Sequence, residues 1–405
     1  MARVAVIGAG VVGVASAYML CRAGHDVTLV DRNSGPAQGA SFANGAQLSY
    51  AYGDALASPA LLGKLPAILL DRDPAFRIRI QADPEFFVWG LRFVVNALPG
   101  PFRANTHALI EMAAESKTLL ADLQADLDLD FDYAPFGKMI LYSTEAAANA
   151  TTGLRALKAS FGIQQHVLDR TQATAIEPAL DLYPDPIARV IYSPDDAAGR
   201  PDAFCAALVE RMRARYSLTT LFGQSVTSVL SHNGRVTGVN FAAREPLACD
   251  IVIMASGASV DALPGRDRPF GGLWPVQGYS ITRKATVGAM RISITDLKRK
   301  IVFARLGDEV RVAGLADIGP RCIRFDASRF ATFEAEAVAA FGATFRQEVV
   351  SGSHVWTGAR PCTPSSQPII RHGSLEGLFL NLGHGTLGWT LCLGSAAALV
   401  RLVEG

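Results

Sequence analysis

Cysteine is scarce in this chain and never paired in sequence: Cys21, Cys205, Cys249, Cys322, Cys362 and Cys392 include no C-x-x-C. That spacing argues against a zinc site and against a disulfide scaffold, and it fits a reducing compartment. An excess of one charge is missing too. With 38 basic and 37 acidic side chains the formal net charge is +1, so the electrostatic footprint of a nucleic-acid binder is absent. Internal repeats and low-complexity segments are absent. No secretory signal is apparent, because the apolar start at Val4 has only Arg3 ahead of it and reads as a strand. No uninterrupted apolar run of transmembrane length is read either. The expectation is a soluble protein, peripheral at most, in the cytoplasm or against the inner face of the plasma membrane. What is present suits folded cores: half of the residues are hydrophobic and 19% are charged, well away from disordered compositions. At 405 residues two domains are expected, on a prior of roughly 150 residues each.

The most informative stretch is Met1 to Arg32. Val4-Ala-Val-Ile7 is a short apolar run, followed by Gly8-Ala-Gly10-Val11-Val12-Gly13, a helix-like segment through Ala23, and a second apolar run from Val27 to Val30 that ends on Asp31. This reads as strand, glycine turn, helix, strand, acid. The turn lets backbone approach a pyrophosphate, and the N–H groups opening the helix carry partial positive charge toward it. Asp31 lies 18 positions after Gly13, where a carboxylate bonds ribose hydroxyls in dinucleotide folds.

Further along, Gly35 to Gln47 is rich in small residues, and Ser41, Asn44 and Gly45 bring short polar groups and bare backbone within reach of a cofactor. Residues 51–103 hold two greasy clusters, around Leu61 to Leu70 and Phe86 to Val95, with Arg72, Arg77, Arg79 and Arg92 among them. Such a stretch suits a membrane surface or helices burying apolar faces in a second domain. Helices are expected over 105–127, 145–160, 202–215, 327–341 and 391–403, and strands over 138–143, 277–283, 301–305, 309–314 and 378–382. Asn233-Gly234 marks a hairpin between 226–230 and 236–241, and 250–254 is a buried strand closing on Ala255-Ser256-Gly257. A second strand–glycine turn–helix unit lies at the C-terminus, around Gly383-His-Gly-Thr-Leu-Gly-Trp389. The expected layout is a discontinuous nucleotide domain over 1–50, 191–264 and 346–405, with a substrate domain over 51–190 and 265–345. A nicotinamide enzyme usually completes its nucleotide fold in one piece, so this layout disfavours one.

Taken together, VAVIGAGVVGVASAYML (4–20), AGHDVTLVDR (23–32), ASFANGAQLS (40–49), QGYSIT (277–282), RVAGLAD (311–317), WTGARPCTP (356–364) and NLGHGTLGWT (381–390) resemble the D-amino acid dehydrogenase branch of the FAD-dependent D-amino acid oxidase superfamily, over essentially the whole chain. The resemblance implies an α/β fold of the glutathione-reductase type: a Rossmann-like FAD-binding domain plus a substrate domain with an antiparallel sheet. It implies FAD, with Gly8, Gly10, Val11, Val12 and Gly13 at the pyrophosphate and Asp31 on the adenosine ribose. Arg32, Ser41, Asn44, Gly45, Gln47 and Val226 would line the path, Gly257 would close the nucleotide side, and Gly383, His384, Gly385, Thr386 and Leu387 would pass under the flavin pyrimidine. Arg360, beside the flavin, would grip the substrate carboxylate, which suits a planar guanidinium. Tyr279 would be a second substrate contact and lid, and His384 a positioning residue beside the flavin. No metal is implied. The implied reaction is oxidative deamination of a D-amino acid to the 2-oxo acid and ammonia, with hydride passing from Cα to flavin N5 and electrons going on to a quinone or other respiratory acceptor.

Two departures stand out. Ser365-Ser366 replaces the family's Asp-Gly after Thr363-Pro364, and Ile370-Arg371 replaces a residue followed by glycine. The amine therefore stays open between a primary D-amino acid and a secondary one such as D-proline, hydroxyproline or sarcosine. A flavin-carrying electron-transfer subunit of a larger complex, docked through 60–103, is the reading from a different class. Assembly into an oligomer stays open too.

Overall fold

A computed structural model describes residues 1–347 and 354–405. Two sheets organise it. The first has six strands in the order Ile369–His372, Leu378–Leu382, Ile251–Met254, Arg3–Ile7, Asp26–Asp31, Leu218–Phe222. All are parallel except the edge strand Ile369–His372. Its centre is apolar on both faces, as a parallel sheet covered on both sides requires. Val4, Val6 and Ile253 pack with the helices Val11–Arg22, Pro201–Arg215 and Gly388–Glu404. Ala5, Val252 and Met254 pack against the small antiparallel sheet of Val226–His232, Arg235–Phe241 and Leu247–Ala248.

The glycines of the first turn divide their work. Gly8 has φ +106°, open to glycine at no steric cost, and a Cβ there would meet the Ala255 carbonyl oxygen at 2.5 Å. A Cβ on Gly13 would overlap the Gly8 carbonyl, so Gly13 sets how closely the first helix approaches its own strand.

The second sheet has nine strands. Its path runs His354–Cys362, Trp274–Lys284, Glu309–Ile318, Ile301–Leu306, Ser293–Asp296, Lys138–Tyr142, Arg189–Ser193, His166–Leu168, and Phe76–Ile78 adds to Glu309–Ile318. It is antiparallel except where Ser293–Asp296 meets Lys138–Tyr142 and where Phe76–Ile78 joins. One face packs on the helix Ala327–Phe341 through Tyr279, Ile281, Phe303 and Phe333. That helix starts where Asp326 accepts the Arg329 N–H at 3.0 Å, the usual N-cap arrangement. The other face looks toward the first sheet across a cavity.

Several expectations change. Strand His354–Cys362 pairs along Trp274–Lys284, so the segment bearing Arg360 belongs to the second sheet and the expected boundary at 346 moves past Cys362. Arg189–Ser193 pairs with Lys138–Tyr142, which moves the boundary at 191 as well. The long helix Pro99–Leu127, expected in the substrate domain, packs on the closing helix of the nucleotide half. Which sheet a strand joins depends on long-range pairing that no local pattern carries. The helix expected over 145–160 is two, Glu145–Asn149 and Thr152–Ser160, because the Thr151 hydroxyl donates to the Ala148 carbonyl at 2.7 Å and competes with the helical ladder. Against the expectation of no such run, the segment Gly385–Glu404 is long and apolar enough to cross a membrane by length and composition. Here it packs against Val11–Arg22 and Pro99–Leu127 as a core helix.

Candidate active site

Between the two sheets lies a cavity of about 1100 Å³, just above the ~300–1,000 Å³ typical of ligand sites. It starts where the strands Arg3–Ile7 and Asp26–Asp31 end. The helix Val11–Arg22 has Gly10 as its N-cap and no side-chain cap. Ser41 Oγ accepts the Val11 N–H at 3.1 Å. The Asp31 carboxylate accepts from Ala9 N at 2.7 Å and from Asn33 N and Nδ2 at 2.8 and 2.9 Å. Only Ser41 Oγ, at 3.2 Å, would lie near a Cβ on Gly10. The space over Gly10 is thus cavity, a cradle that any side chain would fill. Uncapped N–H groups and bare backbone are the donor set a pyrophosphate takes.

The same cavity is lined by Val11, Val12, Arg32, Ser41, Asn44, Gly45, Gln47, Val226 and Gly257. Asn44 Oδ1 accepts the Ala46 N–H at 2.8 Å, which holds Ala46 at φ +56° and turns the chain along the wall. Gly13 is the exception among the expected cofactor residues: it does not line the cavity, and its role is the helix–strand contact described above.

At the far end Gly383, His384, Gly385, Thr386 and Leu387 line the wall. Gly383 at φ +78° passes so close to Thr363 that a Cβ would meet its Cγ2 at 2.5 Å. The turn Gly385–Leu387 runs straight into Gly388–Glu404, and neither has a side-chain cap. A second set of free helix N–H groups therefore faces the cavity, suited to negative charge. Two helix starts without side-chain caps from their own N-cap residues, joined by one cavity of this volume, fit the dinucleotide that the sequence implies.

Arg360 lines the cavity on the opposite wall. Its Nη1 donates to the Leu315 carbonyl at 2.8 Å, and its guanidinium lies over Gly278, where a Cβ would come within 2.5 Å of Cζ. Register explains the fit. Gln277 pairs with Asp317 but Tyr279 pairs with Gly314, so Leu315 and Ala316 together oppose Gly278. This is a β-bulge, with Leu315 at φ +61°; bulges of this kind re-aim groups beside active sites. Nearby Asp317 is engaged by Arg329 at 2.9 Å, and among the described residues Arg360 has no carboxylate partner. Burial holds its pKa below the ordinary arginine value, so an anion there is favoured.

Tyr279 does not reach the site. It is 1% exposed, takes a hydrogen bond from Gln277 Nε2 at 3.0 Å and packs edge-on to Phe325. It points into the layer of the helix Ala327–Phe341, because side chains alternate along a strand and Gly278 and Ser280 take the cavity side. The expected lid is thus a core aromatic. His384 stays at the cavity. Burial pushes its imidazole down to about 3, so it is neutral across the physiological range, and its Nε2 is buried without a partner. That suits positioning and excludes a proton store near neutrality.

Two contributions were not read from sequence. Ser366, in the departing Ser365-Ser366 pair, adopts φ +68°, the conformation for which glycine is the easy residue. Its hydroxyl accepts the Leu56 N–H at 2.9 Å, so the serine ties its loop to the segment before the helix Pro59–Leu69. Lys138 lines the cavity yet is 2% exposed, with burial pushing its ammonium down to about 8. A lysine opening an apolar strand gives no local signal that it faces a cavity.

Residues 3–402 match the FAD dependent oxidoreductase family, DAO. A D-amino acid dehydrogenase 2 from Ralstonia nicotianae is 37% identical over 409 residues, covering 99% of this chain and 96% of that protein. Among solved structures, glycine oxidase from Geobacillus kaustophilus superposes with a TM-score of 0.75 at 19% identity, over 100% of this chain and 95% of that one. L-proline dehydrogenase from P.horikoshii gives 0.71 at 15% identity, over 99% and 92%. At those identities the two structures establish the fold.

The two glycines of the first turn should separate in experiment. Gly10→Val keeps its fold, judged by circular dichroism, and purifies colourless; a fully flavin-loaded variant would refute the assignment. Gly13→Val, which forces the first helix off its strand, loses the cooperative unfolding transition itself. The depressed His384 pKa has a stability consequence. The neutral ring is favoured in the fold, so its contribution is full above the unfolded value of about 6.5 and is lost as pH falls toward 3. His384→Leu should therefore lose less stability than the parent between pH 7 and 4 in urea titrations; equal losses would show that His384 does not titrate this way.

Proposed function

The chain belongs to the FAD-dependent oxidoreductase family, and from that footing we propose that it oxidises the Cα–N bond of a D-amino acid, releasing the 2-oxo acid and ammonia after hydrolysis of the imino acid in water. Bound in the cavity, FAD supplies the two-electron acceptor for the hydride that leaves Cα. Everything else is the work of this chain's residues. The observation that carries the reading is Arg360, a guanidinium at the cavity wall anchored by one N–H to the Leu315 carbonyl and, among the described residues, without a carboxylate partner. Its remaining N–H groups suit a bidentate grip on the substrate α-carboxylate. Anchoring through Leu315 fixes the direction of that grip, and holding a reactant in one orientation lowers the barrier by several kcal/mol. With His384 neutral, no side-chain base needs to stand at Cα if the amine binds unprotonated. The relatives named for D-amino acids support the configuration.

For the electron acceptor we propose a membrane quinone reached at the protein surface. The helix Pro84–Asn96 buries Phe86 and Trp89, the latter donating to the Cys362 carbonyl at 2.9 Å. Its outer face leaves Phe87, Leu91 and Val95 at 57%, 68% and 50% exposure. Leu69, Leu70, Leu98 and Phe270 are also exposed, as are the cationic Arg72, Arg92 and Arg103. The helix Pro59–Leu69 carries Leu69 at one end, while Ala60, Leu61 and Lys64 line the cavity. An apolar, basic face beside the cavity suits an anionic lipid surface, and the inner face of the helix Pro84–Asn96 is at the same time packed into the fold.

Anaerobic addition of D-alanine or D-proline should bleach the yellow protein, and the L-isomers should not; no bleaching by any amino acid would end the proposal. Arg360→Leu should keep its flavin while kcat/KM falls roughly 100-fold or more, mostly through KM, the loss of two charge-assisted hydrogen bonds at about 1.5–3 kcal/mol each. Unchanged kinetics would rule Arg360 out as the clamp. The protein should sediment with vesicles containing anionic lipid, and Leu91→Asp should lower the bound fraction several-fold; indifference to vesicles would remove the membrane face.

A further inference from the structure

The peptide group joining Leu315 to Ala316 is held from both ends. Its carbonyl accepts from Arg360 Nη1 at 2.8 Å, and its N–H donates to the Ala75 carbonyl at 2.8 Å. The Ala75 carbonyl oxygen therefore lies no more than about 8 Å from Nη1, two hydrogen bonds and one peptide unit away. One amino acid can bridge that interval. Val276 is the cross-strand partner of Arg360, so the two side chains leave the same face of the sheet with Cβ atoms roughly 5 Å apart. Ala316 is in turn the partner of Phe76 on the strand Phe76–Ile78. Leu56, Ala75, Phe76, Val276 and Ala316 all line the cavity together with Arg360.

This end of the cavity is apolar and fixed in place. None of those five side chains carries a hydrogen-bonding group. Leu56, Val276 and Ala316 belong to one apolar cluster with Phe86, Trp89 and Trp274. Asp73 Oδ1 accepts the Ala75 and Phe76 N–H groups at 3.0 and 2.9 Å. The same carboxylate pairs with Lys300, whose Nζ lies 4.8 Å from the centre of the Phe76 ring. The charge of Lys300 is thus already matched, and the ring is held by a cation that has its own partner. Leu56 is held through its N–H by Ser366 Oγ at 2.9 Å. An aliphatic group entering here leaves water without giving up a hydrogen bond, whereas an amide would be left unpaired.

We propose that Leu56, Ala75, Phe76, Val276 and Ala316 form the pocket for the substrate side chain, that it takes an aliphatic side chain of about leucine's length, and that the Phe76 ring limits its size. The pocket rests on the reading of Arg360 as the α-carboxylate clamp. Val276 and Ala316 supply the floor beside the guanidinium, Phe76 and Leu56 the walls, and Asp73 and Ser366 hold those walls by their backbone.

The test uses the FAD-loaded protein and non-oxidisable probes, titrated by the change they cause in the visible flavin spectrum. Isocaproate and succinamate, the deaminated counterparts of leucine and asparagine, have the same shape and differ in polarity; hydrocinnamate is the larger apolar probe. The wild type should bind isocaproate at least tenfold more tightly than succinamate, and D-leucine should exceed D-asparagine in kcat/KM by a similar factor. Phe76→Ala should raise the affinity for hydrocinnamate relative to isocaproate several-fold; should that variant not hold flavin, Phe76→Leu takes its place with the same direction expected. Equal binding of isocaproate and succinamate by the wild type overturns the pocket, and a hydrocinnamate-to-isocaproate ratio unmoved by the Phe76 variant overturns Phe76 as its wall. Failure of the Arg360 reading looks different, with isocaproate and succinamate both binding to Arg360→Leu as they do to the wild type.

Discussion

Two helices begin at the same edge of one parallel sheet, and the rest of the molecule is arranged around that edge. Strands Arg3–Ile7 and Leu378–Leu382 run the same way, with Ile251–Met254 between them. The helices that follow them, from Val11 and from Gly388, therefore open side by side, neither with a side-chain cap from its own N-cap residue, the Val11 N–H being taken by Ser41 Oγ. A parallel strand order forces this coincidence, and the partial positive charge of two helix starts makes it an anion site. The fit tolerates no side chains at its tightest points. Gly8, Gly13 and Gly383 each lie where a Cβ would strike backbone or a packed neighbour. Close approach is thus built into the packing of the nucleotide half before any ligand arrives.

The second sheet supplies what the first cannot, a roof with charge on it. Its strands place Arg360 and Lys138 over the cavity, both substantially desolvated and both with their pKa lowered by burial. Cations in such places oppose folding, because neither has an acidic partner within ion-pair range among the described residues. The bulge at Leu315 is part of the same arrangement, since a non-glycine residue at φ +61° in a strand is itself unfavourable. Strain and unpaired charge are concentrated at the cavity wall, while Asp296 and Asp317 elsewhere in the second sheet are paired, with Arg299 at 2.9 Å and with Arg329. That contrast separates binding groups from structural ones more sharply than residue type does.

The helix Pro84–Asn96 joins the two concerns. Its inner aromatics close the second domain, with Phe86 edge-on to Trp274 at 5.2 Å between ring centres, while its outer face stays apolar and unpaired. Composition alone left this region between a core and a surface role. The structure buries Phe86 and Trp89 on one face of the helix and leaves Phe87, Leu91 and Val95 exposed on the other.

The sequence by itself determined the local parts: the glycine turn after Val4–Ile7, the acid at Asp31, the second glycine turn at Gly383, and the arginine at Arg360. Each is written in a short window, because tight turns demand glycine and helix starts announce themselves within a few residues. The helix Ala327–Phe341 and the strand Leu378–Leu382 were legible residue for residue for the same reason. What only the tertiary structure decided is which faces meet. Tyr279 was lost to the core because one position along a strand reverses the direction of a side chain. Leu315, Gly278 and Lys138 entered the site through a bulge and a strand order that join residues far apart in the chain. Those pairings depend on the energy of whole sheets packing together, and no window of sequence holds that information.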